Sequence, residues 1–167
     1  MKKITIHKGF HRPFQLIPVC FRFFTLKERF SIRKKVLFTD LCRYNLDNGD
    51  QSDWNKLFGF CFGINGIHKN SARLVWRYSP EADKIIIASY YYIDGIRRSR
   101  RLTTIKLNQC IDLNILKAGR SIFFFADGFL VDDVIIISNK PAFGCGLYFG
   151  GNRRAPHNIT IKMCNYD

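Results

Sequence analysis

Three stretches carry side chains suited to chemistry. In SARLVWRYS (71–79), strand alternation puts Ser71, Arg73, Val75, Arg77 and Ser79 on one side and Ala72, Leu74, Trp76 and Tyr78 on the other. Two guanidinium groups then share a face, and an arginine fork holds a carboxylate or sulfate in two-point contact. In KIIIASYYYI (84–93), Tyr90 and Tyr92 take one side and Tyr91 the other, offering flat rings. The third stretch, GLYFGGNRRAPHNITI, runs from Gly146 to Ile161. Its Gly150-Gly151 pair permits close backbone approach, Asn152 suits a turn, and Pro156 keeps Ala155 extended. Turn formation accounts for those residues but not for Arg153, Arg154 and His157, which either rim a groove or are solvated loop residues.

The same alternation sets Leu57, Gly59, Cys61 and Gly63 opposite Phe58, Phe60, Phe62 and Ile64. It also sets Gly144, Gly146, Tyr148 and Gly150 opposite Phe143, Cys145, Leu147 and Phe149. A glycine face cannot fill a core by itself. If these faces share a sheet with the two arginines, taken as exposed, they form a shallow groove floored by glycine and walled by tyrosine. The residues expected to bind a ligand there are Arg73, Arg77, Tyr90, Tyr92, Tyr148, Asn152, Arg153 and His157. The plainer reading is a convex face with two solvated arginines beside half-buried tyrosines.

Catalytic signals are sparse. Sugar hydrolysis needs paired carboxylates, and the two glutamates are Glu28, in a basic stretch, and Glu81, in a turn. Asp132 and Asp133 are adjacent and point to opposite faces. A polysaccharide lyase asks for less: a His or Tyr base and an Arg or amide to neutralise a uronate. His68, His157, Tyr148, Arg73 and Asn152 supply those types. The local motifs of sandwich-fold alginate lyases are not present in their usual order. Asp47, Asp50 and Asp53 lack the spacing of a calcium loop and read as an Asp-rich turn. Four scattered histidines and six scattered cysteines give no zinc pattern. No metal, cofactor or catalytic residue is expected.

The chain has 167 residues and a net charge of +14, with +9 of it in residues 1–35. That excess fits an acidic partner, or a solvated basic face that keeps a strand-rich protein in solution. RRSRR (97–101) follows a tyrosine triplet and is the strongest local signal for a nucleic acid or other polyanion. Alternation splits it, with Arg97 and Arg101 on one side and Arg98 and Arg100 on the other.

The elements that must hold these residues are strands. Long helical periodicity is absent, and about twelve short apolar or alternating runs recur near 3–7, 14–24, 30–39, 54–64, 71–79, 84–93, 97–107, 110–116, 120–126, 129–138, 143–149 and 157–164. DNGDQSD (47–53), SPEAD (79–83), DGI (94–96) and the Asp127-Gly128 pair punctuate them. The expected fold is an all-β, single-domain antiparallel sandwich of jelly-roll type spanning residues 1–167. Cysteines scattered within apolar runs read as buried reduced thiols. A basic start without an apolar run behind it, and no apolar stretch of membrane length, predict a cytoplasmic protein with no membrane insertion.

The order of strands in 102–133, with its F-x-x-D-G hairpin at 123–131, resembles the concanavalin-like lectin and laminin-G sandwiches. DWNKLFG (53–59), SARLVWRYSP (71–80), YYYIDG (90–95) and YFGGNRRAPH (148–157) resemble an uncharacterised family of small bacterial β-sandwich proteins. That resemblance implies fold and extent and transfers no catalytic residue. The expected function is non-catalytic binding of a carbohydrate, perhaps an acidic glycan. The alternatives are a polyanion or nucleic-acid binder and a lyase-like enzyme.

Overall fold

The computed structural model describes residues 1–14, 24–25, 28–46 and 49–165. Twelve strands form two antiparallel sheets among these residues, as the punctuation predicts. They are β1 (Lys2–Ile6), β2 (Phe24–Thr25), β3 (Arg29–Phe38), β4 (Asn55–Phe62), β5 (Ser71–Ser79) and β6 (Lys84–Ile93), followed by β7 (Ile96–Lys106), β8 (Cys110–Ala118), β9 (Ser121–Ala126), β10 (Phe129–Ile135), β11 (Ala142–Cys145) and β12 (Ile159–Asn165). The first sheet runs β1-β12-β3-β8-β9-β10 and the second β2-β11-β4-β5-β6-β7. The long apolar run expected at 14–24 falls mostly outside the described residues. Among the described residues no helix is long and apolar enough to cross a membrane.

Alternation decides which side of each strand meets the other sheet. Ala72, Leu74, Trp76 and Tyr78 of β5 point inward, with Ile85 and Ile87 of β6 and Phe58, Phe60 and Phe62 of β4. They meet Val36 and Phe38 of β3, Leu113 and Ile115 of β8, and Ile122 and Phe124 of β9. Trp76 sits at the centre, against Phe38, Tyr44 and Phe149. Burying each of these large side chains contributes roughly 1.5–3 kcal/mol.

Asp-Gly pairs close two hairpins with both residues at positive φ: Asp94 at 48° and Gly95 at 86°, Asp127 at 49° and Gly128 at 84°. Asp47 and Asn48 of the Asn-Gly signal lie outside the described residues. Gly49–Ser52 forms a 3₁₀ turn that leads into β4. Cys42 and Cys61 are buried, as expected, but Cys110 is exposed and Cys145 and Cys164 are half-buried. Cys110 opens β8, an interior strand, on the side turned from the core, so apolar sequence does not guarantee cover; Cys20 lies outside the described residues.

The RRSRR cluster lies on β7, an edge strand of the second sheet. Its parity is as read: Arg97 and Arg101 pair with Tyr92 and Ala88, Arg98 and Arg100 with Tyr91 and Ser89. A charged edge strand discourages pairing with another chain. Arg100 also ties the sheets together. Its Nη1 lies 3.1 Å from Oδ1 of the buried Asp132 on β10, and Ser89 Oγ donates to the other Asp132 oxygen at 2.5 Å. Asp132→Ala is expected to lower the unfolding free energy by about 1–3 kcal/mol, because Arg100 loses its acid and the buried Ser89 hydroxyl keeps only the long contact to the Arg100 carbonyl at 3.3 Å. Urea denaturation measures it; Asp133→Ala, on the exposed side, serves as the control.

Candidate functional site

The outer face of the second sheet, turned away from the core, carries the chemistry. Register sets one row of Cys145, Gly59, Arg73, Tyr90 and Ser99 across β11, β4, β5, β6 and β7. The next row is Phe143, Cys61, Ser71, Tyr92 and Arg97. Lys56, Val75, Ala88 and Arg101 make a third, and Tyr148 bridges to Lys56. Val75, Ala88 and Tyr90 form a small apolar cluster here, separate from the main core and flanked by Trp54 and Tyr92.

Arg73 is the centre of this face, and it is not exposed as expected. Only 3% of it is accessible. Its guanidinium carbon lies 4.9 Å from the Tyr90 ring centre and 5.9 Å from that of Tyr92. One Nη donates to the Ile67 carbonyl at 3.4 Å, and Nε has no hydrogen-bond partner among the described residues. Tyrosines opposite and diagonal to it on β6 cover a side chain that alternation alone would leave in solvent. Burial pushes its proton affinity down, while the neighbouring thiols and phenols pull it back up.

Gly59 makes that placement possible. A Cβ at this position would stand 2.2 Å from the Ala72 carbonyl oxygen and 2.8 Å from Arg73 Cγ. The arginine stem therefore lies across the glycine. Gly63, expected on the same face, lies past the end of β4 with Lys140 packed against it. Leu57, also expected there, is fully buried in the core. A bulge between Lys56 and Phe58 inserts one residue and turns Lys56 outward instead. The adjoining strand changes side at the same level. Cys145 faces outward with Gly59, Leu147 and Phe149 enter the core, and Tyr148 returns outward. Gly144 pairs with Phe60 and so lies on the inner side, contrary to the uniform alternation expected over 143–150.

Lys56 joins the two halves of the site. Its Nζ donates to the Trp54 carbonyl at 2.7 Å and the Gly150 carbonyl at 3.1 Å. It sits 5.7 Å from the ring centres of both Tyr90 and Tyr148. Burial, with Arg73 and Arg97 adding to it and Asp53 opposing, lowers its pKa to about 8. Gly150 is fixed in turn: its N–H donates to Asn55 Oδ1 at 2.6 Å, its φ is 69°, and a Cβ would stand 2.3 Å from the Arg153 carbonyl oxygen. The glycine pair thus serves to lock the loop that presents Tyr148.

Of the expected residues, the structure brings Arg73, Tyr90 and Tyr92 together and adds Tyr148 through Lys56. Arg77 lies further along β5, with its guanidinium 4.6 Å from the Trp54 ring centre and Nη1 on the Ser52 carbonyl at 2.9 Å. Arg153 Nε binds Asp50 at 2.7 Å. Asn152 is exposed in the same loop. His157 lies 3.2 Å from the Leu41 carbonyl, on a 3₁₀ turn that packs against β12 of the first sheet. Residues not anticipated are Lys56, Trp54, Cys61, Cys145 and His11, while His68, considered only as a lyase base, does reach the site. His68 meets the edge of Tyr92 at 5.4 Å. His11 stacks on Tyr148 at 4.8 Å, with Arg12 over the same ring, and its Nδ1 lies 2.8 Å from the Phe149 carbonyl. Only the Gly-Cys alternation in β4 hinted at the thiols; His11 reaches the site across 138 residues of sequence.

No family model and no curated protein matches the chain. Solved structures do. A family 7 alginate lyase in complex with its product superposes with a TM-score of 0.57 at 10% identity, over 84% of this chain and 64% of that one. The alginate lyase AlyC3 gives 0.60 at 12% identity, over 99% of this chain and 70% of that one. An alginate lyase from Pseudomonas aeruginosa gives 0.52 at 11%, over 83% and 64%. The chain thus spans about two thirds of the length of these neighbours, and what it shares with them is the jelly-roll sandwich.

Two outcomes follow from this geometry. Gly59→Ala is expected to cost about 1–3 kcal/mol of stability, because backbone must move to admit one methyl group; thermal melting detects it. Lys56 gives a pH signature. Its folded pKa of about 8 lies below the ordinary 10.5. Between those values the unfolded chain keeps a proton that the fold has released, so stability contributed by this group rises with pH. Below pH 8 the cost of burying the ammonium is fully present. The wild-type minus Lys56→Met difference in unfolding free energy is expected to rise by roughly 1–2 kcal/mol across this window, as the half-open site screens part of the effect.

Proposed function

We propose that this face binds an acidic carbohydrate, with the ligand's carboxylate on Arg73 and its sugar rings against Tyr90, Tyr92 and Tyr148. The supporting observation is the buried Arg73 guanidinium whose Nε lacks a partner. A buried cation without an acid is costly unless something anionic completes it. Lys56 and Arg97 add positive charge around it, so a mono-anionic sugar unit fits the electrostatics better than a neutral one. Arg77 on Trp54, and the Asn152–Arg153 loop, are the proposed outer contacts, with His157 the most remote. The neighbours of known fold act on alginate, an acidic polysaccharide, which agrees with this ligand class.

Binding without turnover is the first reading, since among the described residues no paired carboxylates face the site. A lyase is the second, and one arrangement favours it. His11, Tyr148 and Lys56 form a cluster of groups that exchange protons beside the arginine that would neutralise a uronate. Elimination would take the proton next to the carboxylate and expel the glycosidic oxygen, leaving an unsaturated sugar.

Calorimetry with uronate oligosaccharides and with neutral glucans tests the proposal. Uronates are expected to bind, with affinity falling steeply in salt, and Arg73→Met to weaken binding by about 1.5–3 kcal/mol. Equal binding of neutral glucans, unchanged by Arg73→Met, would overturn it. Ultraviolet absorbance of an unsaturated uronate during incubation would move the assignment to the lyase reading.

A further inference from the structure

Cys61 and Cys145 lie on neighbouring strands and the same outer face, diagonal to each other beside Gly59. Residue 59 between them carries no side chain, and the Cys61 and Cys145 thiols are hydrogen-bond partners. On the other side of that glycine lies Arg73, its stem across Gly59 and its Nε buried without a partner. Lys56 and Arg97 add positive charge nearby. We propose that Cys61 and Cys145 are a redox-active dithiol that exchanges with small anionic disulfides and closes to an intrachain disulfide in the floor of the groove.

The chemistry needs only thiolates and an external disulfide. Cys145, the more open of the two, loses its proton to solvent and attacks one sulfur of the reagent. A protein–reagent mixed disulfide forms, and the reagent's other half leaves as a thiolate. Cys61 then attacks the Cys145 sulfur, the new S–S bond joins the two strands, and the second half of the reagent leaves. Two protein thiols are oxidised and one disulfide is reduced to two thiols. Once Cys145 carries the mixed disulfide it has no S–H to share, and the Arg73 charge beside Cys61 favours the thiolate against burial. That makes Cys61 an apt resolving group. The four-residue length of β11 leaves the strand short enough to shift as the bond closes.

The charge of the floor selects the reagent. An anionic disulfide is drawn to Lys56, Arg73 and Arg97, and a cationic one is repelled. The inference draws on the same cations as the acidic-carbohydrate reading, but its test contains no glycan, so either can fail without the other.

Full-length reduced protein is treated with dithiobis(nitrobenzoate), which is dianionic, or with cystamine, which is dicationic, and exposed Cys110 serves as the internal reference. Peptide mapping is expected to find a 61–145 disulfide and the loss of two hydrogens. Relative to Cys110, the pair should react about tenfold or more faster with the anionic reagent than with the cationic one. Arg73→Met should reduce that preference, and Cys61→Ser should leave a stable mixed disulfide on Cys145. Stable adducts on both sulfurs of the wild-type protein would overturn the proposal. So would equal reagent preference at the pair and at Cys110. If Cys61→Ser fails to fold, the wild-type peptide map decides.

Discussion

The burial of Arg73 over Gly59 is the constraint to which the rest of the outer face answers. A guanidinium taken out of water normally finds a carboxylate. Here it finds two tyrosine rings, one main-chain carbonyl and two thiols. The acids that the structure pairs with basic groups sit elsewhere. Asp132 holds Arg100 between the sheets, Asp112 holds Arg33, Asp40 and Asp83 hold Arg43, and Asp50 holds Arg153. Asp53, whose charge reaches Lys56 and Arg97, moderates the excess at the floor without meeting Arg73. Positive charge is thereby concentrated where the sheet is least able to solvate it.

That concentration depends on small backbone irregularities. The extra residue at Leu57 sends a leucine into the core and a lysine out to the tyrosines in one step. The matching change of side after Cys145 delivers Leu147 and Phe149 to the core while turning Tyr148 toward that same lysine. Asn55, buried beside the bulge, links both events, donating to Tyr44 Oη and accepting from the Gly150 N–H. Core packing around Trp76 and the outer cluster around Arg73 are therefore two faces of the same strands. Neither can shift its register without dismantling the other.

The period of two in the sequence carried the fold and half of the site. Arg73, Tyr90 and Tyr92 share a face because β5 and β6 are regular at their level, so counting by twos suffices. Lys56 was hidden because a bulge defeats counting, and nothing in NKLFG marks where the extra residue falls. Tyr148 was assigned beside Gly144 because the chain around Gly146 leaves the strand, which composition does not reveal. His11 and Arg12 reach Tyr148 through backbone pairing of Phe10 and His11 with Ala155 and Phe149, contacts between the two ends of the chain. Alternation gives the side on which Arg73 points but not its exposure, which depends on how two phenol rings from the next strand settle over it.

The arginines also separate two uses of charge that composition merges. Those of β7 guard an exposed edge, and their number accounts for much of the local basic signal without any ligand. Arg97, Arg98 and Arg101 are open to solvent, where salt screens them and each contributes little, while Arg100 reaches the buried Asp132. Arg73 and Lys56 sit where the dielectric is lower and water is scarce, so each unit of charge acts more strongly on whatever approaches. The most basic segment of the sequence is thus not where the fold leaves a guanidinium N–H without a partner. The covered guanidinium keeps an N–H without a partner among the described residues, whereas the four arginines of β7 are open to solvent.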